Sequence, residues 1–226
     1  MAIMPEAPNP TRPRCQRCQR PLSHCLCAHV TAVCNHTRVL ILQHPDEARH
    51  PLNTARLAVL GLEHAQLLIG ECFPQLDDIV ASAGRALLLF PDKAGCELKA
   101  GAIKPGQSDG PEAITLSLNE PAHLGALSES GPALLIVPDG TWRKARRIVR
   151  MNPVLAALPR LSLPAGAPSE YRVRKASEPA AVATIEAIVR SLSLLEPARD
   201  FQPLLAPFRA LVQQQLNAMG QPEASE

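Results

Sequence analysis

The sequence predicts an α/β protein with a largely parallel sheet, preceded by a small, loop-rich metal-binding module. Three observations carry that reading. Strand-length apolar runs alternate with helix-patterned segments from Arg38 to Asn217. Four cysteines, Cys15, Cys18, Cys25 and Cys27, crowd into 13 residues, whereas Cys34, Cys72 and Cys96 are scattered. Hydrophobic residues make up 46% of the 226-residue chain, enough for one domain with a real core and too many for wholesale disorder.

Residues 1–13 are Pro-rich and read as a flexible arm with no apolar run that could serve as a signal peptide. The longest apolar runs elsewhere are too short to span a bilayer, so a cytoplasmic protein with no membrane partner is expected. Residues 14–36 form the module. The spacing Cys15-x2-Cys18-x6-Cys25-x-Cys27 sets four thiolates on two tight turns. Such a set can close a tetrahedral shell around zinc or a similar soft metal, and a closed shell makes the metal structural. His24, His29 or Cys34 replacing one ligand, or free thiols, are the open alternatives. Cys34, Cys72 and Cys96 read as ordinary buried or free thiols.

Residues 37–217 form the main domain. Arg38–Gln43 reads as a buried strand ended by His44-Pro45, and a helix starts near Asn53 or Thr54 and stops at Gly61. Ala65–Ile69, Arg85–Phe90, Ile114–Leu118 and Ala133–Val137 follow as strands, with a polar loop from Lys99 to Pro111. A helix runs from Trp142 to about Met151, and Leu161–Leu163 and Tyr171–Arg174 are short extended segments. Amphipathic helices cover Ala180–Leu195 and Leu204–Asn217, and residues 218–226 read as a disordered tail.

Net charge is only +2, but nine of the 23 Lys and Arg residues lie between Trp142 and Lys175, with Glu170 the lone acid there. On the predicted helix Arg143, Arg146, Arg147 and Arg150 share one face, which suits a polyanion unless it is merely a solvated surface. Asp139-Gly140-Thr141-Trp142 follows the central strand, at the edge where open α/β sheets bind ligands. There Gly140 permits a tight turn, Thr141 can cap the helix, and Asp139 is either a reactive carboxylate or a cap. Trp142, in a chain with 3% aromatics, is either a core anchor or a platform for a stacked base. Gln43-His44-Pro45-x-Glu47 with Asn53-Thr54-Ala55-Arg56 places polar groups at another strand end, and Thr184-Ile185-Glu186-Ala187 lies in the late helix.

Taken in this order, the cysteine spacing, the two motifs at 43–56, the Asp139-x-Thr141-Trp142 signature and Thr184-x-Glu186-Ala187 resemble the DTW-domain family, from Cys15 to Ala187. That family includes the tRNA-uridine aminocarboxypropyltransferases. One departure is Ala183, where the family usually has Ser. The resemblance implies a SPOUT-like fold with a C-terminal knot that holds S-adenosylmethionine, lined by Phe90, Pro91, Asp92, Pro138, Gly140, Arg174, Thr184 and Glu186. It implies transfer of the 3-amino-3-carboxypropyl group to uridine N3 with release of methylthioadenosine. Asp139, Thr141 and Trp142 would serve the chemistry. His44, Asn53, Thr54, Arg56, Arg143, Arg146, Arg147 and Arg150 would hold tRNA. The rival readings are a SPOUT-type RNA methyltransferase and a non-catalytic, zinc-bearing RNA-binding module.

Overall fold

The computed structural model describes residues 13–91, 115–117, 133–163, 169–170 and 182–220. The expected arm before Pro13, the loop at 99–111, Cys96, Asp92, the Tyr171–Arg174 segment and the tail beyond Gly220 lie outside the described residues.

Largely apolar runs become the strands β1 (Arg38–Gln43), β2 (Ala65–Ile69), β3 (Ala86–Leu89) and β5 (Leu134–Asp139), and two short segments, each centred on one leucine, become β4 (Thr115–Ser117) and β6 (Arg160–Ser162). They form one sheet in the order β2-β1-β5-β3-β6-β4, with every neighbouring pair parallel, as the sequence predicts. The helices are α1 (Pro45–Ala48), α2 (Ala55–Gly61), α3 (Leu76–Ser82), α4 (Trp142–Met151), α5 (Pro153–Ala156), α6 (Thr184–Leu195) and α7 (Ala206–Ala218).

The central strands β1 and β5, covered on both faces, are largely apolar, and alternate residues divide them between two cores. Val39, Ile41, Leu135 and Val137 face α2, α6 and α7, packing with Leu57, Ile185, Ile188 and Phe208. Leu40, Leu42, Leu134 and Ile136 face α3, α4 and α5, packing with Leu76, Ile148 and Leu155. The chain therefore leaves β1 toward one face and β5 toward the other. Since β1 and β5 are neighbours, the C-terminal ends of these two strands form a topological switch point, where a crevice opens.

Pro138 sits in β5, where a missing N–H would ordinarily break the ladder. Leu134 donates to Arg85 on the β3 side and Asp139 accepts from His44 on the β1 side, so residue 138 faces β3. The β3 pairing ends at Leu88–Ile136, so proline falls past the last rung.

One expectation needs correction: the late helix starts at Thr184 rather than Ala180, with Val182 and Ala183 non-helical. The cysteine segment packs on the main core, with Leu26 fully buried and Cys18 nearly so, in one cluster with Phe208 and Leu211. The Cys27–His29 turn lies against α7. Glu196, just past α6, accepts from the backbone N–H groups of His36 at 3.1 Å and Thr37 at 2.6 Å, fixing the join between this segment and β1.

Candidate functional site: a buried carboxylate at the switch point

Gln43 and Asp139 are the last residues of β1 and β5, and they pair across the ladder. Their side chains point to the α2/α6 face, where the start of α6 arrives from the C-terminal part of the chain. The Asp139 carboxylate is buried. One oxygen accepts from Gln43 Nε2 at 2.7 Å and the other from the Thr184 hydroxyl. Asp139 is thus held by side chains from β1 and α6. Thr141 occupies the cap position of α4 without making a side-chain cap bond.

Asn53 extends the network. Its Nδ2 donates to Gln43 Oε1 at 3.3 Å and to the Glu47 carbonyl at 3.2 Å, while its Oδ1 accepts from the Arg56 N–H at 3.3 Å. Asn53 is therefore the residue that caps α2 by hydrogen bond, and Thr54 makes no side-chain cap bond. Glu47, Asn53, Thr54, Asp139, Gly140 and Thr184 line an open cleft here, so three separate sequence motifs meet at one place. Gly140 has φ +153°, and a Cβ on it would approach Lys144 Cβ to 3.0 Å, so only glycine suits this turn.

His44 and Glu186, both predicted to meet ligands, are tied up by the chain itself. His44 is buried; its Nδ1 accepts from the Asp46 N–H, so Nε2 donates to Glu71 at 2.8 Å. Glu186 accepts from Ser169 Oγ at 2.5 Å and from the backbone N–H groups of Glu170 at 2.8 Å and Ala183 at 2.7 Å. The last of these is half of a capping box. Ala183, lacking an oxygen, cannot supply the other half.

The basic face of α4 forms as predicted, with Ala145, Ile148 and Val149 buried and Arg143, Arg146, Arg147 and Arg150 exposed. It is partly compensated. Arg147 Nε donates to Glu71 at 2.7 Å, and Lys144 Nζ meets Glu47 at 2.8 Å and Asp46 at 3.3 Å. The bond to Glu47 holds the Lys144 ammonium above the usual lysine range. Glu71 was not visible as a site residue in the sequence, and neither was Asn152. Asn152 accepts from the Phe73 N–H at 2.8 Å and donates to the carbonyls of Glu71 at 2.8 Å and Ile148 at 2.7 Å. No local pattern marks such residues.

On the other side of β5, Trp142 is 38% exposed and meets Phe90 edge-to-face, with centroids 6.1 Å apart at 85°. It is not a core residue. Pro91 adjoins Phe90, and Arg174 and Asp92 lie outside the described residues.

The four thiols do converge. Cys15 and Cys27 sulfurs are 3.6 Å apart, Cys18 and Cys25 sulfurs 3.8 Å, and all four lie within 4.8 Å of one another. A tetrahedron with sulfurs about 2.3 Å from its centre has edges of about 3.8 Å, so the set fits a metal ion. The backbone N–H groups of Cys18 and Arg17, with the Cys27 contact, draw Cys15 down to about 6. Desolvation, then contacts with Cys15, Cys25 and Cys18, pushes Cys27 up to about 12. Sulfurs packed this tightly cannot all ionise without a cation among them. Cys34 and Cys72 are exposed free thiols.

A carboxylate fixed in a cleft at the switch point of a parallel sheet marks a ligand-binding α/β protein. The chain belongs to the DTW-domain family, whose model matches residues 12–216. It is 28% identical to the "tRNA-uridine aminocarboxypropyltransferase 2" of Drosophila melanogaster, covering 96% of this chain and 80% of the relative. It is 29% identical to the protein of the same name from Macaca fascicularis, covering 94% and 67%. It is also 29% identical to "tRNA-uridine aminocarboxypropyltransferase A" of Arabidopsis thaliana, covering 81% and 72%. No solved structure matches the chain. Among the described residues, no helix is long and apolar enough to cross a membrane.

Proposed function

We propose that this protein transfers the 3-amino-3-carboxypropyl group of S-adenosylmethionine to N3 of a tRNA uridine, releasing methylthioadenosine. The observation that carries the reading is Asp139, the acid of the family signature, held by Gln43 and Thr184 in the cleft at the switch point. The names of the relatives point to the same chemistry. We further propose that the sheet is SPOUT-like, with a C-terminal knot around the cofactor in the region of α6.

The reaction forms the N3–Cγ bond and breaks the Cγ–S bond, the electron pair leaving on sulfur and the N3 proton leaving the uridine. One sulfonium bears three carbons, so the site must aim Cγ rather than the methyl group at the nucleophile. Asp139 takes the N3 proton: it is a buried base whose two oxygens are fixed before substrate arrives. The Thr184 hydroxyl and the Gln43 amide orient it, and Asn53 orients Gln43. Thr141, at the cap of α4, and Gly140 set the turn that presents the half-exposed Trp142, beside Phe90, as a platform for the displaced base. Thr54, Arg56 and the arginine face at Arg143, Arg146, Arg147 and Arg150 hold tRNA through phosphates, which gives affinity without sequence choice. Pro91, Pro138 and Glu186 shape the cofactor pocket. Cys15, Cys18, Cys25 and Cys27 would hold zinc, which supplies a rigid cross-link and no open position for chemistry.

The test is Asp139→Asn, which keeps size but cannot accept a proton as a carboxylate does. Single-turnover transfer should fall by about two to four powers of ten, while calorimetry finds cofactor affinity little changed. Near-normal transfer would make Asp139 a structural residue. Loss of cofactor affinity in step with rate would make it a grip for the cofactor's ammonium.

A further inference from the structure

Arg160, at the start of β6, is 7% exposed, and among the described residues nothing pairs its charge. Its guanidinium lies 5.5 Å from the Phe90 ring centroid, and Nη1 reaches the Pro91 carbonyl at a long 3.4 Å. Its Nε is sealed from solvent with no hydrogen-bond partner. Among the described residues no carboxylate stands within ion-pair distance of it. A buried cation with an orphaned donor is unfavourable unless something completes its shell. The register Leu88–Arg160 places it beside the C-terminal end of β3, next to the Phe90–Trp142 pair. That corner lies across the sheet edge from the Asp139 cleft.

We infer that Arg160 is an anion-binding residue that grips the carboxylate of the group being transferred. This rests on the function proposed above. A guanidinium offers a planar fork that matches a carboxylate in two parallel bonds. Its depth suits the end of a small molecule enclosed in a pocket better than an exposed phosphodiester. Fixing the carboxylate at Arg160 would fix the direction of the Cγ–S bond, which is what selects the aminocarboxypropyl carbon over the methyl.

The experiment compares S-adenosylmethionine with its decarboxylated form, which keeps the adenosine, sulfonium and amine but lacks the carboxylate. The wild-type protein should prefer the complete molecule on the order of ten- to a hundredfold by calorimetry. Arg160→Gln should lose that preference and Arg160→Lys most of it, both binding methylthioadenosine as the wild type does. Equal wild-type affinity for the two sulfonium compounds, or full preference in both variants, would overturn the inference. Arg160→Gln that keeps its preference but binds tRNA more weakly, with a shallower salt slope, would assign the fork to a phosphate and also overturn it. A wild type that binds neither sulfonium compound would sink the functional reading instead. Should both variants fail to fold, nitrogen-15-labelled wild type decides: an arginine Nε–H resonance that shifts with S-adenosylmethionine and not with the decarboxylated form supports the grip, and its absence rejects it.

Discussion

The thiol cluster and the Asp139 cleft are both small polar sites at the edge of the larger core, yet they are built in opposite ways. The cluster's four sulfurs come from 13 residues, so its geometry is a local property of two turns. Asp139 is held by Gln43, 96 residues away, and by Thr184, 45 residues away. Its geometry exists only once the sheet and α6 are assembled. A local site can be read from spacing and anchors whatever packs on it; a non-local site reports that the whole fold is in place.

Breaking the local site should therefore cost mainly stability. Cys18→Ser removes a thiol of the cluster that is also a core residue beside Leu26. If the cluster holds zinc as proposed, metal content and about 4 kcal/mol of stability should fall together, measured by elemental analysis and chemical denaturation. Metal loss with an unchanged denaturation midpoint would make the segment an appendage, contrary to its packing here.

Breaking the non-local site should cost mainly rate. Thr184→Val keeps the shape but removes the hydroxyl that donates to Asp139. Transfer should fall about tenfold while stability changes by about 1 kcal/mol. A pure stability effect with unchanged turnover would show that Thr184 supports the helix and not the carboxylate.

The basic face sharpens the comparison because part of its charge is already used. Glu71 binds both His44 and Arg147, so Glu71→Gln should release Arg147 for phosphate contact and steepen the salt dependence of tRNA binding by about 0.7–0.9. An unchanged slope would place Arg147 away from the RNA.

The smallest expected effect is a gain. Ala183 has the extended backbone of a cap, and Glu186 already accepts from its N–H. Ala183→Ser should complete the capping box and stabilise the protein by about 0.5–1 kcal/mol, seen as a higher denaturation midpoint. No gain would mean the serine hydroxyl cannot reach the Glu186 N–H.

The same contrast explains what was legible in the sequence. Strands β1, β2 and β5 and helix α4 stand out because each is a long periodic or apolar run with a marked end. Helices α1, α3 and α5 have four to seven residues, too few turns for a periodic pattern to show. The cysteine spacing predicted convergence correctly because its four thiols are neighbours in the chain. Asp139, Asn53 and Thr184 could be flagged at element ends, but nothing in the sequence says they meet. Glu71 and Asn152 carried no mark at all, and Arg160 only that of one basic residue among the nine between Trp142 and Lys175. Glu71 finds Arg147 76 residues on, and Arg160 is distinguished only by what it fails to touch.

The central claim is that the group moved is the aminocarboxypropyl chain and that it goes to uridine. The direct measurement is transfer from two labelled samples of S-adenosylmethionine, one labelled in the carboxyl carbon and one in the methyl carbon, to unmodified tRNA, followed by mass spectrometry of the nucleosides. The account predicts that carboxyl label enters a modified uridine while methyl label remains in methylthioadenosine. Methyl label in the RNA with S-adenosylhomocysteine as by-product would contradict it and make the protein a methyltransferase.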